Sequence, residues 1–496
     1  MMPDSKTQAG VQAPRANVPA PIQAAPATGR DVTRYLCAAV QQNDRLARRA
    51  IDSIIDEPHR PVASSPGVDL ACVLRYALAA RRRQTILNVV LAAITIVMVI
   101  ALPFIGVGLF VLFILAWLIV LGDVLTTYYR VIGPQLNRRD FDPAKAPDPF
   151  EPDLRERLAD IEEQQRGSNV TVFPAYEPFI GHGRRLDMWN FVVATDRPDE
   201  NFDSVTPFTL NELYENIATG VRALGLKHVT LSERLFVSGA DVQVMLDDRG
   251  VKQALLPDRF ARPNTRVDAE LLNRLREEGD GRARPYLVLE VNGWGGELVV
   301  TTMLRFTLSP TRDLLFVEGG TWLLAPINSA YHTVDYLTDR PLFHQLRALA
   351  WSALGRTPGQ LLRSVPAVAS MVASPFLSDR KEREQRREID QQSFNYGALM
   401  SIREETADRV YHHYFQNVDR QLYAKAVMRR AMDQLTDFLK QHHVDVSDLR
   451  EQQNVIYNSG IFASGDSRIS IRDTSMAVGM NARAMVGVRQ NSANKS

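Results

Sequence analysis

From Gln84 to Gly122 the chain runs 39 residues without a charged side chain, between Arg83 and Asp123. No other feature limits the fold so strongly. A backbone in hydrocarbon must satisfy its own N–H and C=O groups, so a run this long and apolar is driven into helix. One straight helix of that length would measure about 58 Å, roughly twice a ~30 Å hydrocarbon core. Pro103, Gly106 and Gly108 stand near its middle, where a helix bends or breaks. The run therefore predicts a hairpin of two transmembrane helices, about 85–102 and 105–121 within 84–122.

Arginines flank the run on both sides: Arg81, Arg82 and Arg83 before it, Arg130, Arg138 and Arg139 after it, with none in the turn. The positive-inside rule then predicts a multi-pass protein of the cytoplasmic membrane with both termini cytoplasmic. The bilayer is the first expected partner. With a net charge of +1, no global field points to nucleic acid, and none is expected as a partner. Cys37 and Cys72 are the only cysteines and cannot form a CxxC metal site.

Around the hairpin the texture changes several times. Residues 1–30, rich in Ala, Pro and Gln, read as a disordered tail. Residues 31–83 read as juxtamembrane helices, with Asp31 placed to cap the first and a second running from 68–69 into the membrane. The prolines of 133–153 suggest a stiff linker. The segment 154–338 reads as a cytoplasmic α+β domain. It opens with a short charged helix, 154–165. Strands are expected at 170–173, 189–194, 229–237, 285–291, 298–306 and 314–324, where β-branched and aromatic residues collect. An amphipathic helix at 209–224 interrupts them, with Thr209 and Glu212 at capping-box spacing, and a short one lies at 271–278. Short turns join the last three strands, which favours an antiparallel meander. Residues 341–377 are apolar and basic together. Their uncharged stretch, 364–378, is too short to span, so it is expected at the bilayer interface or against the α+β domain. A helical region at 395–450 and a small-residue, β-prone tail at 454–496 are candidates for homo-oligomer contacts. The fold class is thus α+β: a two-helix transmembrane hairpin, then a mixed, mainly antiparallel sheet domain and C-terminal helices.

The best candidate for chemistry is the loop Gly181, His182, Gly183, Arg184 and Arg185. Glycines around a histidine, followed by two arginines, suit an anion such as a phosphate or lipid head group, so His182, Arg184 and Arg185 form a candidate anion-binding loop. A turn with solvated arginines is the simpler alternative. His412–His413 and His442–His443 are adjacent pairs, and adjacent helical residues diverge by about 100°, so neither pair offers a chelating face. Phosphate-loop, zinc-protease, hydrolase and kinase motifs are absent. No catalytic residue, metal or cofactor is assigned.

Three stretches carry a resemblance: FPAYEPFIGHGRR at 173–185, NGWGG at 292–296 and NYGA at 395–398. On these the sequence resembles an uncharacterised family of actinobacterial membrane proteins, from the first helix to about Ala484. The resemblance implies the same two-span hairpin and no activity, ligand or catalytic residue. The expected function is a non-enzymatic binding, assembly or regulatory protein anchored in the membrane. Two alternatives are a membrane-associated enzyme acting on a phosphorylated or lipidic substrate, and a membrane-perturbing effector that oligomerises through its tail.

Overall fold

The computed structural model describes residues 29–101, 106–226, 228–244, 249–278, 281–337, 343–450 and 453. Of the expected disordered tail 1–30, residues 1–28 lie outside the described residues, as do the tail 454–496 and the hairpin turn around Pro103, while Gly29 and Arg30 open the first helix. Among those described the chain is α+β, with one six-stranded mixed sheet and many helices.

The strands are β1 (Val170–Phe173), β2 (Arg184–Ala194), β3 (Val229–Ser238), β4 (Ala283–Gly293), β5 (Leu298–Leu308) and β6 (Leu314–Leu324). They lie in the order β1-β3-β4-β5-β6-β2. β1 pairs parallel to β3, and every other neighbour is antiparallel. β4, β5 and β6 form the expected meander.

The pleat sends alternate residues to opposite faces, and the two faces are buried differently. Leu287, Leu289, Val291, Leu304 and Phe306 pack under two helices, α7 (Leu210–Arg222) and α12 (Tyr414–Gln441). Tyr286, Val288, Met303 and Trp322 face the other way and are covered by Phe179, from the loop between β1 and β2. Thr209 caps α7 as its spacing predicts: its hydroxyl accepts from the Glu212 amide at 3.2 Å, and Glu212 reaches back to the Thr209 amide at 2.8 Å.

A second, all-helical core precedes the sheet. It contains α1 (Arg30–Gln42), α2 (Asp44–Ala50) and the first turns of α3 (Leu70–Ala101). Asp31 is not the cap of α1. The helix starts two residues earlier than that cap would set, at Arg30 after Gly29, and the Asp31 carboxylate instead pairs with Arg34 and Arg138. Cys37 and Cys72 meet in this core with their sulfurs 3.7 Å apart. Residues 133–153 do not hang free either. Leu136, Phe141 and Ala146 are buried in the same core, and Arg34 donates to the Leu136 carbonyl. Here α5 (Gly133–Gln135) is a single turn, and α6 (Pro152–Gln165) follows.

Among the described residues three helical segments are long and apolar enough to cross a membrane by length and composition: Leu70–Ala101, Gly108–Gln135 and Phe343–Asp390. The second contains α4 (Val107–Thr126) and the last is α10; α8 (Arg249–Leu255), α9 (Ala269–Glu278) and α11 (Ile402–Glu405) complete the set. From Phe343 onward the apolar and basic stretch thus belongs to one continuous 48-residue helix carrying Pro358, Pro366 and Pro375. Its apolar part packs on α3 and α4, where Leu87, Leu91, Ile94, Ala116, Val120, Ala353 and Leu361 share a core, while Ile389 near its end joins the core beneath β1 and β3.

Candidate functional site

The His182 loop is built around an anion that the chain itself supplies. Gly181 and Gly183 have φ of 93° and 84°, which turns both their amides toward one point. There the Glu404 carboxylate of α11 accepts both, at 2.9 Å from Gly181 and 2.7 Å from Gly183. A Cβ at Gly183 would meet the Leu323 carbonyl at 2.2 Å, so the position excludes any other residue. His182 points inward and is fully buried, with Nδ1 3.5 Å from the Glu290 carboxylate. Burial, and then the nearby Arg234 cation, push its pKa down to about 3, which keeps the ring neutral. Arg184 and Arg185 turn outward, toward the Tyr411 hydroxyl at 3.2 Å and the Glu177 carboxylate at 3.9 Å. The structure therefore separates His182 from the two arginines.

A cleft of about 390 Å³ lies at the turn from β4 to β5. Trp294, Gly295 and Gly296 take φ of 55°, 66° and 93°, a left-handed run that needs glycine and strains the tryptophan. Gly293 lies so close to Tyr423 that a Cβ would meet its ring at 2.8 Å. His228, Asn292, Gly29, Gly67 and Leu226 complete the wall. The buried Asn292 Oδ1 has no hydrogen-bond partner among the described residues. Trp294 is held over the turn by two contacts. Its Nε1 donates to Asp419 at 2.9 Å, and its ring stacks on His413 with centroids 5.4 Å apart.

The turn continues directly into a cluster that the sequence did not announce. Glu297 begins the approach to β5, His332 lies on the short 3-10 helix Ser329–Tyr336, and His412 lies in the loop before α12. One ligand-type atom from each falls within 4.8 Å of the other two. His332 Nε2 stands 3.9 Å from Glu297 Oε1, and the two histidine rings meet edge to face at 5.1 Å. Tyr35 of α1 stacks on His332 at 4.1 Å, and Asp408 lies 3.3 Å from His412 Nε2. Burial raises the pKa of Glu297 and lowers that of His332. The adjacent His412 and His413 diverge, one toward Glu297 and the other onto Trp294, but they do so in the backbone before α12, extended at His413, and not on a helix. His332 and Glu297 were missed because neither sits at a recognisable spacing from His412.

The AbeC-like domain family matches the chain over residues 188–470. No curated protein matches it, and no solved structure does. Glu297, His332, Asp408 and His412 all fall inside the matched span, whereas His182, α3 and α4 precede it.

Proposed function

The chain belongs to the AbeC-like domain family, and we propose that it is a membrane-anchored, cytoplasmic-facing binding or assembly protein rather than an enzyme. One observation carries the reading. α3, α4 and α10 pack against one another, yet expose Ile86, Val97, Ile100, Phe110, Val111 and Leu118 outward, with Ile100 66% and Phe110 65% exposed. Such an apolar belt is costly in water and favoured in lipid.

In this reading α3 and α4 cross the bilayer as a hairpin, and α10 enters it and returns. Gln345 near the start of α10 bonds Tyr129, and Lys381 and Gln385 near its end bond Glu57. Both contacts lie beyond the charge-free run. Between them, Leu361 and Ser364 reach Thr95, twelve residues past Arg83 into the run. A third complete crossing would also separate α12 from the sheet on which it packs. Pro358 and Pro366 supply the bend. The flanking arginines put the body on the cytoplasmic side, with the Trp294 cleft as its binding site. Self-association with a second copy would use the exposed stripe Tyr414, Val418 and Leu422 of α12. Leu422→Asp then lowers the mass of the detergent-solubilised protein measured by sedimentation.

The decisive test is protease protection of the full chain in oriented vesicles. Inside-out vesicles should be cut both in 154–165 and in 379–390, and right-side-out vesicles in neither. Cleavage at 379–390 from the outer side would refute the returning α10. Recovery of the full chain as a monodisperse species in detergent-free buffer would refute the anchor.

A further inference from the structure

We propose that Glu297, His332 and His412 form a binding site for a divalent transition-metal cation of the zinc type, with one coordination position left open. Two imidazoles and one carboxylate are a zinc donor set that keeps a fourth position for water or a ligand. Zinc bonds of ~2.0–2.2 Å in tetrahedral geometry separate neighbouring donors by roughly 3.4 Å. The observed 3.9 Å between His332 Nε2 and Glu297 Oε1 closes to that value with shifts of a few tenths of an ångström.

The histidines are oriented for ligation. The ring of His332 is stacked on Tyr35 and hydrogen-bonded to the backbone of Ile327. This leaves Nε2 buried and without a hydrogen-bond partner among the described residues, since 3.9 Å to Glu297 is too long for one. His412 is held by the Asp408 carboxylate, the arrangement that typically fixes the tautomer and ring orientation of a ligand imidazole. Nearby cations are otherwise engaged. Arg34 pairs with Asp335 at 2.6 Å, and Arg403 directs Nη2 at the carbonyls of Glu297 and Ala325. Arg403 still lowers the affinity through its charge, and Glu297 together with Asp408 offsets it.

The three ligands come from the β4–β5 turn, the segment after β6 and the loop before α12. A bound ion would therefore clamp the wall of the Trp294 cleft to the α1 layer. The site does not depend on the membrane reading, because none of its residues lies in the apolar helices.

The test uses the full chain in detergent, purified without a histidine tag and stripped with a chelator. It should bind one equivalent of Zn2+ by calorimetry, and Co2+ should give the intense visible absorption of a four-coordinate ion. Asp408→Asn should weaken binding roughly 10- to 100-fold, as loss of a carboxylate behind a ligand histidine does. Glu297→Gln and His412→Ala should abolish the cobalt spectrum, while His413→Ala leaves it unchanged. Added Zn2+ should raise the melting temperature of the parent protein and not that of His412→Ala. No stoichiometric binding by the parent, or binding by Glu297→Gln and His412→Ala as tight as the parent's, would overturn the assignment. Should His332→Ala fail to fold, the milder Asp408→Asn and Glu297→Gln variants still decide it.

Discussion

Glu404 separates two roles that a carboxylate can play, and replacing it gives a quantitative test of the His182 loop. Its Oε1 is the sole partner shown for the amides of Gly181 and Gly183. Glu404→Ala leaves both without an acceptor, at a cost of about 1–3 kcal/mol for each buried donor. Glu404 is half-buried, so water relieves part of this loss, and the expected destabilisation is about 2–4 kcal/mol. Glu404→Gln behaves differently. Its amide oxygen accepts the same two bonds, each weaker for lack of charge, but it also avoids desolvating an ion. Burial is the largest influence on the Glu404 pKa and raises it despite the two amide bonds, so that relief is real. The glutamine variant should therefore fall within about 1 kcal/mol of the parent. Denaturant unfolding in detergent, followed by tryptophan fluorescence, measures both. Equal losses for Ala and Gln would show that charge, and not the hydrogen-bonded turn, is what the loop requires. A loss below about 0.5 kcal/mol for Ala would refute the account altogether.

His182 gives the clearest pH dependence. Its folded pKa is about 3 against about 6.5 in the unfolded chain, so below 6.5 only the unfolded state takes up the proton. Its contribution to stability is complete above that pH and falls by up to about 1.4 kcal/mol per unit between the two values, and His182→Gln should lose that slope in melts taken across pH. Gly397→Ala should cost about 3 kcal/mol or prevent folding, because a Cβ would sit 2.2 Å from the Pro174 backbone; yield and melting temperature report it. Glu57 is fully buried and bonds Lys381 and Gln385 at 2.9 and 2.8 Å. Glu57→Ala should cost about 2–3 kcal/mol, less than for a fully buried pair because Lys381 is half exposed, and should speed proteolysis at the end of α10.

Much of the architecture was legible from local pattern. The capping box at Thr209 forms both its bonds, and β6 occupies the expected residues 314–324. Those signals are encoded within a few residues, where side-chain spacing alone sets the outcome. The NYGA stretch shows the opposite case. Asn395 bonds the Pro174 carbonyl, Tyr396 bonds the Arg259 carbonyl, and the Ala398 amide donates to Val172. No spacing within 395–398 names those partners. The His182 loop was read as a site where His182, Arg184 and Arg185 hold an external anion, whereas its two glycine amides bond a carboxylate of the chain itself. That the anion is Glu404, more than two hundred residues away, could not be read there.

By itself the sequence determined what each segment had to avoid. A charge-free run of 39 residues resists water, and alternating β-branched residues resist helix. These are properties of single side chains and their neighbours. The tertiary structure alone decided which distant groups meet: that His182 is neutral inside a core, that α10 packs on the apolar helices, and that Glu297, His332 and His412 converge. Convergence depends on the register of β4, β5 and β6 and on where α1 and α12 dock. Those are set by the packing of the whole chain at once, and no local spacing encodes them.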